Sequence, residues 1–135
     1  MSKDKKFSFI FLIIIILSIG LSLNFLFKQM DSKLGYVEID DNVIKIMNNS
    51  YKVEDIVTVE LLEKVSLSGG SGSNTPNTNN GRYKVNGDAY ESKVHIYKNV
   101  SPFIRMTTKD SVVVFNKDNP DKTKKIYNEL LSLTK

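Results

Sequence analysis

The chain has 135 residues, a formal net charge of +4, a single histidine and no cysteine. The absence of cysteine excludes a disulfide framework and any thiolate nucleophile or metal ligand. The excess charge lies mostly near the N-terminus: residues 34–135 carry 14 Lys/Arg against 13 Asp/Glu, so that region lacks the basic footprint of a nucleic-acid binder.

Residues 1–6 form a basic tail with Lys3, Lys5 and Lys6. The run Phe7–Phe27 follows, 21 residues without Asp, Glu, Lys, Arg or Pro. As a helix rising about 1.5 Å per residue it spans roughly 30 Å, the hydrocarbon thickness of a bilayer. The roughly 100 residues that follow are too few to surround it as a core helix. A cleaved signal peptide also begins with a charged tail before an apolar run. Here, however, Phe25, Leu26 and Phe27 stand where small residues belong, and Ser18-Ile19-Gly20 offers only a weak cleavage site. No cysteine follows, which excludes a lipoprotein. The expected outcome is a retained single-pass anchor in a cell membrane. Lys3, Lys5 and Lys6 are denser and closer to the helix end than Lys28, Lys33 and Lys45. That balance favours an inside N-terminus and an extracytoplasmic domain. The Lys, Asn and Ile bias is that of an AT-rich bacterial genome.

Residues 28–35 read as a short polar neck ending in Gly35, and 36–135 as one domain. Period-two alternation with β-branched residues predicts strands at Tyr36–Ile39 and Val43–Met47, separated by an Asp40-Asp41-Asn42 turn. Asn48-Asn49-Ser50 reads as a second turn. Ile56–Val65 reads as a third strand, its Val-Thr-Val core outweighing the helical content of Glu54–Lys64. Residues 66–81 contain no charge and one apolar residue, Leu67. Such a stretch buries too little to offset its ordering entropy, so a flexible loop is expected. Strands resume at Arg82–Asn86, Lys93–Tyr97, Phe103–Thr107 and Ser111–Phe115, with a hairpin-type turn at Asn86-Gly87-Asp88. Asp118 or Asn119 can cap a closing helix that has Pro120 at its first position. Its apolar stripe is Ile126, Tyr127, Leu130, Leu131 and Leu133.

Seven short strands followed by one amphipathic helix resemble the pleckstrin-homology (PH)-like arrangement, and in particular the bacterial PH-domain proteins. The matching segments are Ile56–Leu61, Gly81-Arg82-Tyr83, Lys93–Tyr97, Phe103–Thr108, Ser111–Asn116 and Asp118–Thr123. The resemblance implies a mainly β fold, a seven-stranded barrel or sandwich capped by the C-terminal helix. It says little about activity, because this fold hosts many functions. Eukaryotic relatives that bind phosphoinositides use Lys and Arg around the first hairpin. Asp40-Asp41-Asn42 occupies that turn here and would repel phosphate, so inositol-lipid binding is not carried over.

No sequence pattern announces catalysis, a cofactor or a metal. His95 stands alone in a strand, and a base or metal site needs partners. Asp40-Asp41 and Glu54-Asp55 fall in turns without the Ca²⁺-loop pattern. Gly69, Gly70 and Gly72 lack the Lys and the helix of a phosphate loop. The remaining candidate is a basic patch on an outer strand face, formed by Arg82, Lys84, Lys93, Lys98 and Arg105. It would suit anionic lipid or an acidic polymer. A free sheet edge that accepts a partner strand is a further device. The expected function is therefore a non-enzymatic, membrane-anchored domain that binds a protein partner or a surface ligand. An anionic lipid- or polymer-binding module is the alternative, and an enzyme, which needs convergent polar groups that the sequence does not present, is the alternative of another class.

Overall fold

The computed structural model describes residues 2–34 and 36–134. The chain divides into two units, Met1–Met30 and Asp31–Lys135.

Helix α1 runs Lys3–Leu34. Within its segment Lys3–Gln29 an 18-residue stretch reaches a mean hydropathy of 2.7 and is wholly unburied, a length and composition that can cross a membrane as an anchor or signal sequence. A helix suits that environment because it satisfies its own backbone polar groups. The Ser18 and Ser22 hydroxyls do likewise, donating to the carbonyls of Ile14 and Ser18, both at 2.9 Å. The helix continues through 28–34, where the polar neck was expected. Gln29, Met30, Lys33 and Leu34 are good helix formers and no proline intervenes. Gly35 lies outside the described residues.

The first three strands, β1 (Val37–Ile39), β2 (Val43–Ile46) and β3 (Asn49–Lys52), form an antiparallel meander. Ile44 and Ile46 are buried and Lys45 between them is exposed, as the alternation requires. The expected turn at 48–50 shifts to Met47-Asn48, with Met47 at φ 54°. This shift frees Asn49 and Ser50 to pair with Ile46 and Lys45.

One 3-10 turn, Val53–Asp55, leads into β4 (Ile56–Leu62), β5 (Leu67–Asn74), β6 (Thr78–Val85), β7 (Glu91–Tyr97), β8 (Phe103–Thr108) and β9 (Val112–Phe115). These make one six-stranded sheet in the order β4-β8-β9-β7-β6-β5. After β8 the chain doubles back, and β9 inserts between β8 and β7, antiparallel to the first and parallel to the second. Leu62 and Leu67, on opposite edges, are joined by about 17 Å of extended chain at most. Laid flat, six strands about 4.8 Å apart would be roughly 24 Å across. The sheet is therefore curled, and Asn86 pins the crossing: its amide nitrogen donates to Ser66 O at 2.8 Å and its side chain to Lys64 O at 3.0 Å. β4 and β5 do not pair, so the curl remains open.

Two corrections follow. The architecture is mixed α/β, with sheets of three and six strands and, among the described residues, no closed barrel, in place of a mainly β seven-stranded barrel or sandwich, while the N-terminal apolar helix and the C-terminal helix stand where they were expected. The flexible loop expected at 66–81 is an antiparallel hairpin, β5 paired with β6. Its ladder uses backbone groups, and Gly72 and Gly81 stand opposite each other where a Cβ on either would meet the neighbouring backbone. Thr75 and Thr78 close the turn through their hydroxyls at 2.8 Å.

The core lies on both faces of the curled sheet. On one face Ile104, Met106, Val113 and Phe115 pack with Ile44, Ile46 and Tyr51 of the small sheet and with Leu130. On the other, Tyr83, Val85, Val94, Ile96, Phe103 and Val114 form a second cluster, joined by Leu62, Val65 and Leu67. Helix α2 runs Pro120–Leu133. Asn119 caps it, its Oδ1 accepting from the Asp121 amide at 2.8 Å. Leu130 is fully buried, with Ile126 and Tyr127 partly so.

Candidate functional site

The five basic residues expected to share a face divide into three settings. Arg82 and Lys84 in β6 and Lys93 in β7 lie on one face, with Arg82 directly opposite Lys93 and Lys84 opposite Glu91. Through β9 this face is continuous with the one bearing Val113 and Phe115. Tyr51 of β3 marks the boundary: its ring is buried in the core and Lys93 Nζ stands 5.7 Å from its centroid. Burial pushes the Tyr51 phenol above its usual range, and the Arg82 guanidinium pulls the other way. Among the described residues, neither Arg82, Lys84 nor Lys93 makes an ion pair.

Arg105 is on the opposite face. It pairs with Val114, whose side chain points away from Val113. Its Nε donates to Glu60 Oε2 at 2.7 Å, and its Nη1 lies 3.5 Å from Asp88. The hydrogen bond to Glu60 raises its pKa further. Arg105 is a cross-strand partner of Glu60, held for the sheet. Lys98 falls beyond the end of β7, where its Nζ donates to Thr75 O at 3.0 Å. The insertion of β9 explains the split, because it sets β7 and β8 two strands apart and fixes which of their residues share a face.

His95 is buried, 8% exposed, on the same face as Lys93. Its Nδ1 is 2.6 Å from Asn80 Oδ1, and Nε2 has no hydrogen-bond partner among the described residues. Burial, and secondarily the Lys93 charge, lower its pKa to about 4. With the imidazole neutral, Nδ1–H donates to the Asn80 carbonyl. Among the described residues no group of three or more His, Cys, Asp or Glu could hold a metal ion.

Two concave features were not foreseen. At the mouth of the curl a cleft of about 470 Å³ sits among Val65, Leu67, Ile96 and Phe103, with Lys64 and Lys98 among its polar members. Between β1 and α2 a groove of about 260 Å³ carries Lys117, Lys122 and Lys125 beside Val37, Ile39 and Ile126, with Glu129 as its acid. Burial lowers the Lys117 pKa, with Asp118 opposing that shift and Lys122 adding to it. The i, i+3 spacing of Lys122 and Lys125 was visible in the sequence, but nothing there brought β1 alongside them.

The chain matches no family model, no curated protein and no solved structure.

Proposed function

We propose that this chain is a membrane-tethered, non-enzymatic binding module of PH-like type, anchored in a bacterial cell membrane by α1 with its domain on the extracytoplasmic side. In this reading Arg82, Lys84 and Lys93 meet an acidic surface of a protein partner. The observation that carries it is the Arg82–Lys93 pair. Like charges directly opposite across two strands destabilise a sheet, and neither residue has an ion-pair partner among the described residues. Such a pair is more economically explained by an external anion than by folding. The order of strands followed by one amphipathic helix supports the PH-like reading, while the parallel β7–β9 pairing departs from it.

A photoreactive residue at Glu91, opposite Lys84, tests this in intact cells. Adducts of defined mass are expected, and they should disappear in the chain carrying Arg82→Glu and Lys84→Glu. Adducts unchanged by those reversals would contradict the proposal.

A second reading, in which the ligand is anionic lipid, is favoured by the groove holding Lys117, Lys122 and Lys125. The full chain reconstituted in phosphatidylglycerol vesicles should then show slower amide exchange at 117–126 than in phosphatidylcholine vesicles, with the difference shrinking in high salt. Equal exchange in the two lipids would remove this reading.

A further inference from the structure

β5 is an outer strand that breaks the usual rules for one. Of the four strands at sheet edges among the described residues, β1 has three residues, β3 has four and ends in Lys52, and β4 carries the charge of Glu60 and packs one face against α2. Short length and edge charges are common ways of keeping an edge from pairing with another chain. β5 has eight residues, no charge and no proline, and exposes everything from Ser68 to Asn74. Its Gly and Ser residues have low strand propensity. One ladder, the half-buried Leu67 and the Asn74 side chain, whose Oδ1 accepts from the Tyr83 hydroxyl at 3.0 Å, hold it in place. A bulge between Ser68 and Ser71, with Gly69 and Gly70 at positive φ, leaves Ser71–Asn74 as the straight stretch.

We infer that the Ser71–Asn74 edge of β5 pairs antiparallel with the same edge of a second copy of this chain. Two features favour a second copy over an unrelated strand. The segment 66–81 is uncharged, so two identical edges meet without repulsion, and a twofold axis makes an antiparallel edge self-complementary. The α1 helix, when it anchors, confines all copies to one bilayer, which raises their effective concentration. Four residues with small side chains form too small an interface to hold a dimer in dilute solution. Pairing therefore depends on the shared membrane.

The chain has no cysteine, so single-cysteine variants report cleanly. The full chain in proteoliposomes carries either Ser71→Cys at the edge or Asn128→Cys on the exposed side of α2 as control. With a short bis-maleimide cross-linker, which spans the offset that an antiparallel Ser71–Asn74 register leaves between the two position-71 thiols, Ser71→Cys should give at least about fivefold more cross-linked dimer than Asn128→Cys, and the difference should vanish in dilute detergent, as expected when confinement supplies the concentration. Adding Ser73→Lys to Ser71→Cys places like charges near the twofold axis and should return cross-linking to the control level, whereas adding Ser73→Thr should not. Equal cross-linking of Ser71→Cys and Asn128→Cys in the bilayer overturns the inference. So does a Ser71→Cys product in cells whose mass shows a different protein on the edge.

Discussion

β9, in the interior of the six-stranded sheet, reads Val112-Val113-Val114-Phe115 and buries its last three residues on alternating faces. β5, at the outer edge of the same sheet, reads Leu-Ser-Gly-Gly-Ser-Gly-Ser-Asn and buries none of them fully. One strand is held by side chains packed into two core clusters. The other is held by backbone hydrogen bonds and by two glycines that let the chains approach closely. Order in a strand thus has two sources, and they differ in how much stability they leave in reserve. Binding surfaces tend to be drawn from the low-stability end of a fold. In this domain that end is the β5 edge.

The contrast can be broken by substitution. Phe115→Ala empties a fully enclosed site in the interior of the sheet and should cost about 4 kcal/mol, read as a lowered midpoint in chemical denaturation. A loss below about 1 kcal/mol would show that β9 is not the load on which the fold rests.

Acid should act next most strongly, through His95. The unfolded imidazole protonates near 6.5, while the folded one resists until about 4. The unfolded state therefore binds the extra proton between those values. The His95 contribution is complete above pH 6.5 and declines as pH falls toward 4, by about 3 kcal/mol in total. His95→Gln should flatten the stability–pH curve in that window. An unchanged slope would mean that the ring is not held neutral.

Smaller effects belong to the periphery. Asn119→Ala removes the α2 cap and should cost about 1 kcal/mol, measured as a shift in melting temperature. Gly72→Ala should act mainly locally, because its Cβ meets the backbone of Asn80 and Gly81 and the outer strand β5 is the side held by one ladder. Its signature is local: β5 amides exchange faster while those of β9 do not.

The same contrast explains which parts were legible in the sequence. The charge-free run at Phe7–Phe27, the Val/Ile strands and the Pro120-led helix all advertise themselves through side chains, and the structure places elements at each. β5 and the first half of β6 do not, because a Gly/Ser/Asn ladder has no apolar period to detect. β3 was hidden for a similar reason, since in Asn-Ser-Tyr-Lys only Tyr51 is buried. The basic patch was half legible. Alternation within one strand put Arg82 and Lys84 together and set Lys93 opposite Val94. Assigning Arg105 to the other face needed the β9 insertion, a long-range feature with no local signature. The sequence allowed His95 to be either a solvent-facing or a hydrogen-bonded strand residue; it is the second and is buried, because its partner Asn80 lies in the segment taken for a loop.

Residue-resolved hydrogen exchange on the full chain in lipid tests the central claim most directly. At low protein density, the amides of β7 and β9 should exchange only with global unfolding, and those of Ser71–Asn74 at least about a hundredfold faster through local opening. At high density in the same bilayer the Ser71–Asn74 amides should slow while the others do not change. Uniform protection of β5 and β9 at low density, with no response to density, would contradict the account.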